Sequence, residues 1–436
     1  MRKIYVFLLS LLLSHSVFAV ETQTLRIHGS NTIGALLAPE LVKSWLSHTG
    51  YNIISDRVTA KEERHIIGTK VGQKLDVEIH AHGSSTAFRD FSAGLTDVGM
   101  ASRPVKEKEV QQLALLGQLD SKHSEYVVAL DGLPIIVHPS NPLKVLSKET
   151  VSKIFAGEIS NWAQLGLPAG KINIYARDDN SGTYDTFKHL VLGKTRKLSP
   201  RAKRFESNTI LSDSVAKDKN GIGFVGMAYV RQSKVISIAD TGARAMKPNR
   251  FTVSTEDYAL ARRLFMYIPE KHPLPLAKEF VNFAISKIAD SIVAKVGFVS
   301  QEIDSFKVAI PENAPEEYRQ MVTGAERLSI NIRFRKGSIH LDNKAIHDVK
   351  RIEKFLEQPE NRYRRILLFG FADKTEVSPF ISHSFSVSRA DAVADYLLKN
   401  KIYPIRVRGY GQQIPVANNL TQHGRYANRR VEIWMM

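Results

Sequence analysis

The sequence predicts an α/β fold followed by a small α+β domain, and three observations carry that reading. Short apolar strands are repeatedly followed by a polar turn and an amphipathic helix, the unit from which α/β sheets are wound. Clean periodicity then fails between residues 306 and 326, where Pro311 and Pro315 interrupt the chain. Beyond that gap a second run of strands and helices begins, about 110 residues long, an ordinary domain size. The 436 residues suffice for two or three domains with buried cores.

Taken in order, TLRIHGS has the character of a strand ending at Gly29. In GALLAPELVKSWLSHTG, residues Leu36, Leu37, Leu41, Val42, Trp45 and Leu46 fall at helical spacing until Gly50 stops the helix. KETVSKIFAGEISNW gives a short helix closed by Gly157, and KINIYARDDNSGTYDTFKHLVLG gives strand, turn and helix. NGIGFVGMAYV gives a glycine-bearing strand and turn. In LPLAKEFVNFAISKIADSIVAKVGF, Phe280, Val281, Phe283, Ala284, Ile288 and Ile292 share one apolar helical stripe. No solenoid-type repeat occurs.

After the gap, SINIRF alternates as a strand does. LDNKAIHDVKRIEKFLEQ is an amphipathic helix with Asp342 as N-cap. RRILLFGFAD is a buried strand ending in a turn, and SRADAVADYLLKNKI is a helix with Ala390, Val393, Ala394 and Leu397 inward. IRVRGYG and RRVEIWMM complete a β-α-β-α-β-β order. The expected boundaries are residues 20–305 for the first unit, 306–326 for a linker and 327–436 for the second.

The first 19 residues carry Arg2 and Lys3, an apolar run, and Val17-Phe18-Ala19 as a small-residue cleavage pattern. They are read as a signal peptide cut after Ala19. The run is short for a bilayer span of roughly 20 residues and contains Ser10, Ser14, His15 and Ser16. The chain has no cysteine, which excludes thiol catalysis and cysteine metal sites. It also suits a periplasmic protein whose core needs no disulfides. Of the net charge of +17, residues 326–436 contribute +9, from 20 Lys/Arg against 11 Asp/Glu. A basic exported protein meets envelope polyanions rather than nucleic acid.

Polar residues concentrate where strands hand over to helices. GSNTIG supplies Ser30, Asn31 and Thr32, AHGSSTAFRD supplies Ser84, Ser85 and Thr86, and RDDNSGTY supplies Arg177, Ser181, Gly182 and Thr183. Helix N-termini present unpaired N–H groups and the positive end of the macrodipole. Serine and threonine add hydroxyl donors, glycine permits close approach, and arginine offers a planar fork for a tetraoxyanion. One such turn alone is more readily a helix cap. Three of them, one with an arginine four residues before Ser-Gly-Thr, point to an anion site at the carboxyl ends of strands.

The motifs GSNTIGALLAPEL, GSSTAF, DVGMASRP, KIFAGEISNWAQLG, RDDNSGT and GIGFVGMAYV occur in that order. In them, residues 22–300 resemble the PstS-like phosphate-binding proteins of bacterial ABC phosphate uptake. The resemblance implies a two-lobed, type II periplasmic-binding-protein fold that closes on a hinge over its ligand. It implies contacts from Thr32 and the Ile33 backbone, Ser84, Arg177, Ser181, Gly182 and Thr183, with Asp179 orienting Arg177. Ser30, beside them in the first turn, is a further candidate. The family's proton-accepting aspartate falls in a stretch that here reads Ala101-Ser102-Arg103. Ser102 is the candidate to take over through its oxygen, and Arg103 is expected at the surface.

GFAD ends a strand at Asp373, and FSVSRADAVADYL places Arg389 early in a helix. A carboxylate and a guanidinium facing one pocket suit a ligand that is both ammonium and carboxylate. From spacing alone, the two simply pair with each other or face water. Together with IRVRGYGQQIPVANN and GRYANRRVEI, these motifs make residues 327–436 similar to the OmpA-like peptidoglycan-binding domain. The resemblance implies that Asp373 and Arg389 grip the diaminopimelate of the stem peptide. Phe371-Ala372 stand where the family often has His-Thr, and the family asparagine is replaced near Ser382.

No GxSxG, HExxH or Gly-Lys-Ser/Thr motif is present, so no enzyme, catalytic residue or cofactor is expected. His80 and His82 share one face of a probable strand, but without a third ligand a solvated face is the better reading, and no metal is expected. The expected function is binding of phosphate or another oxyanion in the periplasm, for capture, uptake or sensing, by a protein held non-covalently to peptidoglycan. The expected location is the cell wall or outer membrane. Its further partner would be an ABC transporter permease or an outer-membrane component, and not nucleic acid. Two alternatives stand beside it: a wall-bound scaffold or adhesion module that has lost phosphate binding, and a periplasmic phosphatase.

Overall fold

The computed structural model describes residues 21–375 and 378–436, so the expected signal peptide lies outside the described residues. Seven strands form the first sheet, in the order Asn52–Ala60, Glu63–Lys70, Gln73–His80, Glu21–Gly29, Val98–Ala101, Ala261–Tyr267 and Glu125–Gly132. Glu21–Gly29 runs parallel to both its neighbours. Its Leu25 and Ile27 are buried in a core that includes Leu41, Val42, Trp45 and Leu46 of helix Leu37–His48. The helical stripe therefore meets the sheet as its spacing requires. Leu36 stands one residue before that helix and is exposed.

The second lobe holds a five-stranded sheet, in the order Lys203–Phe205, Asn173–Arg177, Gly221–Phe224, Ile135–Val137 and Lys234–Val235. It has its own core around Ile154, Phe155, Phe187 and Phe224. The chain enters this lobe after Gly132 and returns through residues 255–260 to the strand Ala261–Tyr267. The expected helix over Lys148–Ala156 closes at Gly157. The stripe of residues 274–298 is divided between two helices, Pro275–Ala284 and Lys287–Val296. Ser286 starts the second by accepting from the Ala289 N–H, and Ile288 is exposed rather than inward.

The third unit is a five-stranded sheet, in the order Ser305–Phe306, Glu326–Arg333, Arg430–Met435, Ile366–Gly370 and Arg406–Gly409. Helices Asn343–Leu356 and Pro379–Lys399 supply Val349, Ile352, Ala390, Val393 and Leu397 to its core. Asp342 caps the first of these through the Ala345 N–H, as expected. A short helix, Gln422–Asn428, precedes the last strand and was absent from the expected order.

The expected linker is the main correction. Residues 306–326 are folded into the third unit. Ser305–Phe306 is an edge strand of its sheet, and Pro315 immediately precedes the helix Glu316–Val322. Tyr318 of that helix is buried among Phe369, Phe371, Tyr410 and Trp434, and its hydroxyl donates to Glu432 at 2.8 Å. The two prolines mark a helix start and irregular backbone, not slack chain.

The third unit also rests on both lobes. Asn343 donates to the Asp120 carbonyl of the first lobe at 3.1 Å, and the Asn418 N–H donates to Asp240 of the second at 3.0 Å. Arg263 donates to Glu256 and to Asp342, at 2.7 and 2.8 Å. Arg327, Asn331 and Arg333 converge on the Asp257 carboxylate, at 3.0, 3.0 and 2.9 Å.

Candidate functional site

Three helix starts meet between the lobes. Asn31–Gly34 and Ser84–Ser92 belong to the first lobe, and Gly182–Phe187 to the second. Ser30, Thr32, Ile33, Ser84, Ser102, Arg177, Ser181 and Thr183 are all buried there. Thr32 and Thr183 share a hydrogen bond of 2.8 Å across the cleft, and Ser84 and Ser102 hydroxyls stand 3.3 Å apart. Gly182 lies so close to these two serines that a Cβ there would overlap Ser84 Oγ and stand 2.6 Å from Ser102 Oγ. Gly83, at φ +111°, similarly leaves room for the Asn180 carbonyl of the opposite lobe.

Arg177 ends the strand Asn173–Arg177 and reaches Asn31 at the first of these helix starts. Its Nε donates to the Phe205 carbonyl at 3.1 Å, and its Nη2 donates to the Glu206 carbonyl and to Asn31 Oδ1. Its Nη1 is buried without a partner among the described residues. Burial draws its pKa down to about 10, still far above neutrality, and nearby Arg262 pushes in the same direction. A desolvated cation with one unused edge is an incomplete arrangement that an anion completes.

The role expected of Asp179 is not realised. Its side chain is 86% exposed and pairs with Arg204 at 2.8 Å. Backbone carbonyls fix the Arg177 plane instead, and Asp178 is the carboxylate whose charge supports it. Arg103 is also misplaced by the sequence reading: it is buried, not at the surface. It is held by Glu109 at 2.7 and 2.8 Å, by Asp185 of the opposite lobe at 2.9 Å, and lies over the Phe88 ring. Three carboxylate hydrogen bonds leave it structural rather than ligand-seeking. Ser181 does act as a helix cap, accepting from the Thr183 and Tyr184 N–H groups at 3.2 and 3.3 Å.

Sequence reasoning missed Asp131 and Arg262. They form a buried pair at 2.6 Å, and Arg262 Nη1 donates to Thr183 Oγ1 at 2.8 Å. Burial raises the Asp131 pKa and lowers that of Arg262. The signal was present: EYVVALDGLPIIV carries one charge inside an apolar run. Asp131 pairs directly with Arg262, whereas Arg177 makes no direct carboxylate bond among the described residues and is supported only by the nearby charges of Asp178 and Glu62. The hydroxyls are occupied by N–H groups and by one another. Among the described residues none is shown hydrogen-bonded to a histidine or carboxylate base that would activate it. Clustered hydroxyls beside a buried guanidinium are the kind of donors that suit a tetrahedral anion.

The pair expected in the third unit is redistributed. Asp373 is buried and accepts from Thr375 N and Oγ1 and from Arg429 Nη1, at 2.6, 2.7 and 2.6 Å. Burial opposes its charge, but Thr375 and Arg429 outweigh that and lower its pKa. Arg389 is buried between the Phe334 and Phe385 rings, and its Nε donates to the Ser338 carbonyl at 3.2 Å. Arg429, within the NRRVEI motif, pairs with Asp373 at 2.6 Å, a partner that spacing did not single out. Asn428 of that motif accepts from the Val416 and Ala417 N–H groups.

A family model described as PBP superfamily domain matches residues 54–287, and one described as OmpA family matches residues 333–429. The chain is 31% identical over 234 residues to a protein named phosphate-binding protein PstS from Staphylococcus haemolyticus, covering 52% of this chain and 72% of that one. It is 29% identical over 252 residues to protein SphX of Synechococcus elongatus, covering 55% and 73%. A putative phosphate ABC transporter substrate-binding protein from Clostridium perfringens, solved with bound phosphate, superposes with a TM-score of 0.51 at 24% identity. That likeness covers 64% of this chain and 99% of that structure, and it supports the two-lobed fold. No helix among the described residues is long and apolar enough to cross a membrane.

Proposed function

The chain belongs to the PstS-like phosphate-binding proteins of the PBP superfamily, and from that premise we propose that it captures inorganic phosphate between its lobes while its OmpA-family domain holds it to peptidoglycan. One observation carries the first half: the buried Nη1 of Arg177, without a partner among the described residues, on a guanidinium that already reaches Asn31 at the first helix start. Capture serves uptake or sensing in the periplasm, with a transporter permease or an outer-membrane component receiving the ligand. For the wall, the low-pKa carboxylate of Asp373 suits an ammonium group, and the Arg389 guanidinium suits the carboxylate beside it.

The test is calorimetric titration of the ligand-stripped mature protein with phosphate and then sulfate, alongside co-sedimentation with peptidoglycan. Phosphate binding that Arg177→Ala abolishes, with sedimentation that Asp373→Asn abolishes, supports both halves. Silence with every oxyanion would favour the scaffold reading, which draws on the direct Thr32–Thr183 bond between the lobes.

A further inference from the structure

The second candidate site lies on the outer face of the first lobe's sheet. Strands Glu63–Lys70 and Gln73–His80 pair antiparallel, with His65 opposite Glu78 and Glu63 opposite His80. Leu75, Val77 and Ile79 fill the inner face, so Asp76, Glu78 and His80 share the outer one. One ligand atom each from His65, Glu78 and His80 lies within 4.8 Å of the other two. Ligands around a tetrahedral zinc at about 2.0–2.1 Å stand roughly 3.4 Å apart, a difference that small χ adjustments close.

The surroundings are arranged for such an ion. Asp76 holds His65 Nδ1 at 3.1 Å, leaving Nε2 to the cluster, the carboxylate–histidine arrangement that orients metal-ligating imidazoles. The His80 ring is stacked on His28 at 4.3 Å between centroids, and His28 is itself held by Asp90 at 2.9 Å. Glu78 has Arg26 as its register neighbour, but that guanidinium is taken by Asp97 and the Gly94 carbonyl. Among the described residues Glu78 makes no ion pair. His82, the other histidine of the sequence pattern, lies past the strand end and bonds Glu63 and Glu206.

We propose that His65, Glu78 and His80 bind one zinc-class divalent ion, with the fourth position open to water. Two imidazoles and a carboxylate form a donor set that zinc accepts with an open fourth site. The proposal is independent of phosphate binding.

The experiment is titration of Zn²⁺ into the tag-free, metal-stripped mature protein. One equivalent is expected. His65→Ala and His80→Ala each weaken it at least about tenfold, Asp76→Asn weakens it by about 10–100-fold, and His138→Ala leaves it unchanged. Should either alanine variant fail to fold by circular dichroism, Glu78→Gln, nearly isosteric, reads the same loss. Absence of a bound equivalent in the parent protein, or full binding in folded His65→Ala, His80→Ala or Glu78→Gln, overturns the assignment.

Discussion

His82 of the first lobe and Glu206 of the second stand 3.0 Å apart, and His82 meets Glu63 of its own lobe at the same distance. Burial works against the charged ring, but the hydrogen bonds to Glu206 and Glu63 outweigh it and raise the His82 pKa. A raised histidine pKa stabilises the joined lobes fully below the unfolded value of about 6.5, and that contribution fades as pH rises through the folded value. Thermal melts of the parent and of His82→Gln should therefore differ most near pH 6 and converge as the pH is raised through the alkaline side. A constant difference across that range would remove His82 as the titrating group.

Arg177→Lys should fail to restore phosphate binding. Lysine keeps a charge but lacks the fork that reaches Phe205, Glu206 and the anion together. Hydrogen bonds to charged groups contribute about 1.5–3 kcal/mol each, so a loss of at least tenfold is expected by calorimetry.

Gly182→Ala places a methyl group against Ser84 and Ser102. The lobes then cannot meet as they do here. Phosphate affinity should fall sharply while circular dichroism stays native, and X-ray scattering should show an enlarged radius of gyration.

Asp131→Ala leaves Arg262 buried without its carboxylate. Removing one partner of a buried pair typically costs about 3–5 kcal/mol, and urea denaturation should show a loss of that order.

Tyr318→Ala discriminates a folded segment from a tether. In a flexible linker the change would be neutral. Among Phe369, Phe371, Tyr410 and Trp434 it should cost about 3–5 kcal/mol in urea denaturation.

The cleft was largely legible because its residues announce themselves by local chemistry. Ser84, Arg177, Ser181, Gly182 and Thr183 sit at strand-to-helix turns, and those turns do converge. What escaped depended on partners distant in sequence. Asp179 is two residues from Arg177 yet faces Arg204, because the turn carries it outward. Arg262 reaches Thr183 only after the chain has returned from the second lobe. Glu78 shares the strand face of His80, but His65 joins them only through strand register, which leaves no trace in spacing. The segment 306–326 lacked periodicity because a short proline-started helix and a two-residue edge strand are too brief to display one.

Asp257 lies in the return crossing between the lobes, and three side chains of the C-terminal sheet hold its carboxylate. A load applied to the C-terminal domain is therefore delivered to the crossing itself, without a slack polymer to absorb it. The protein is less a kite on a string than a strain gauge bolted across a joint. Any displacement of the C-terminal sheet would reach that crossing through these same few hydrogen bonds.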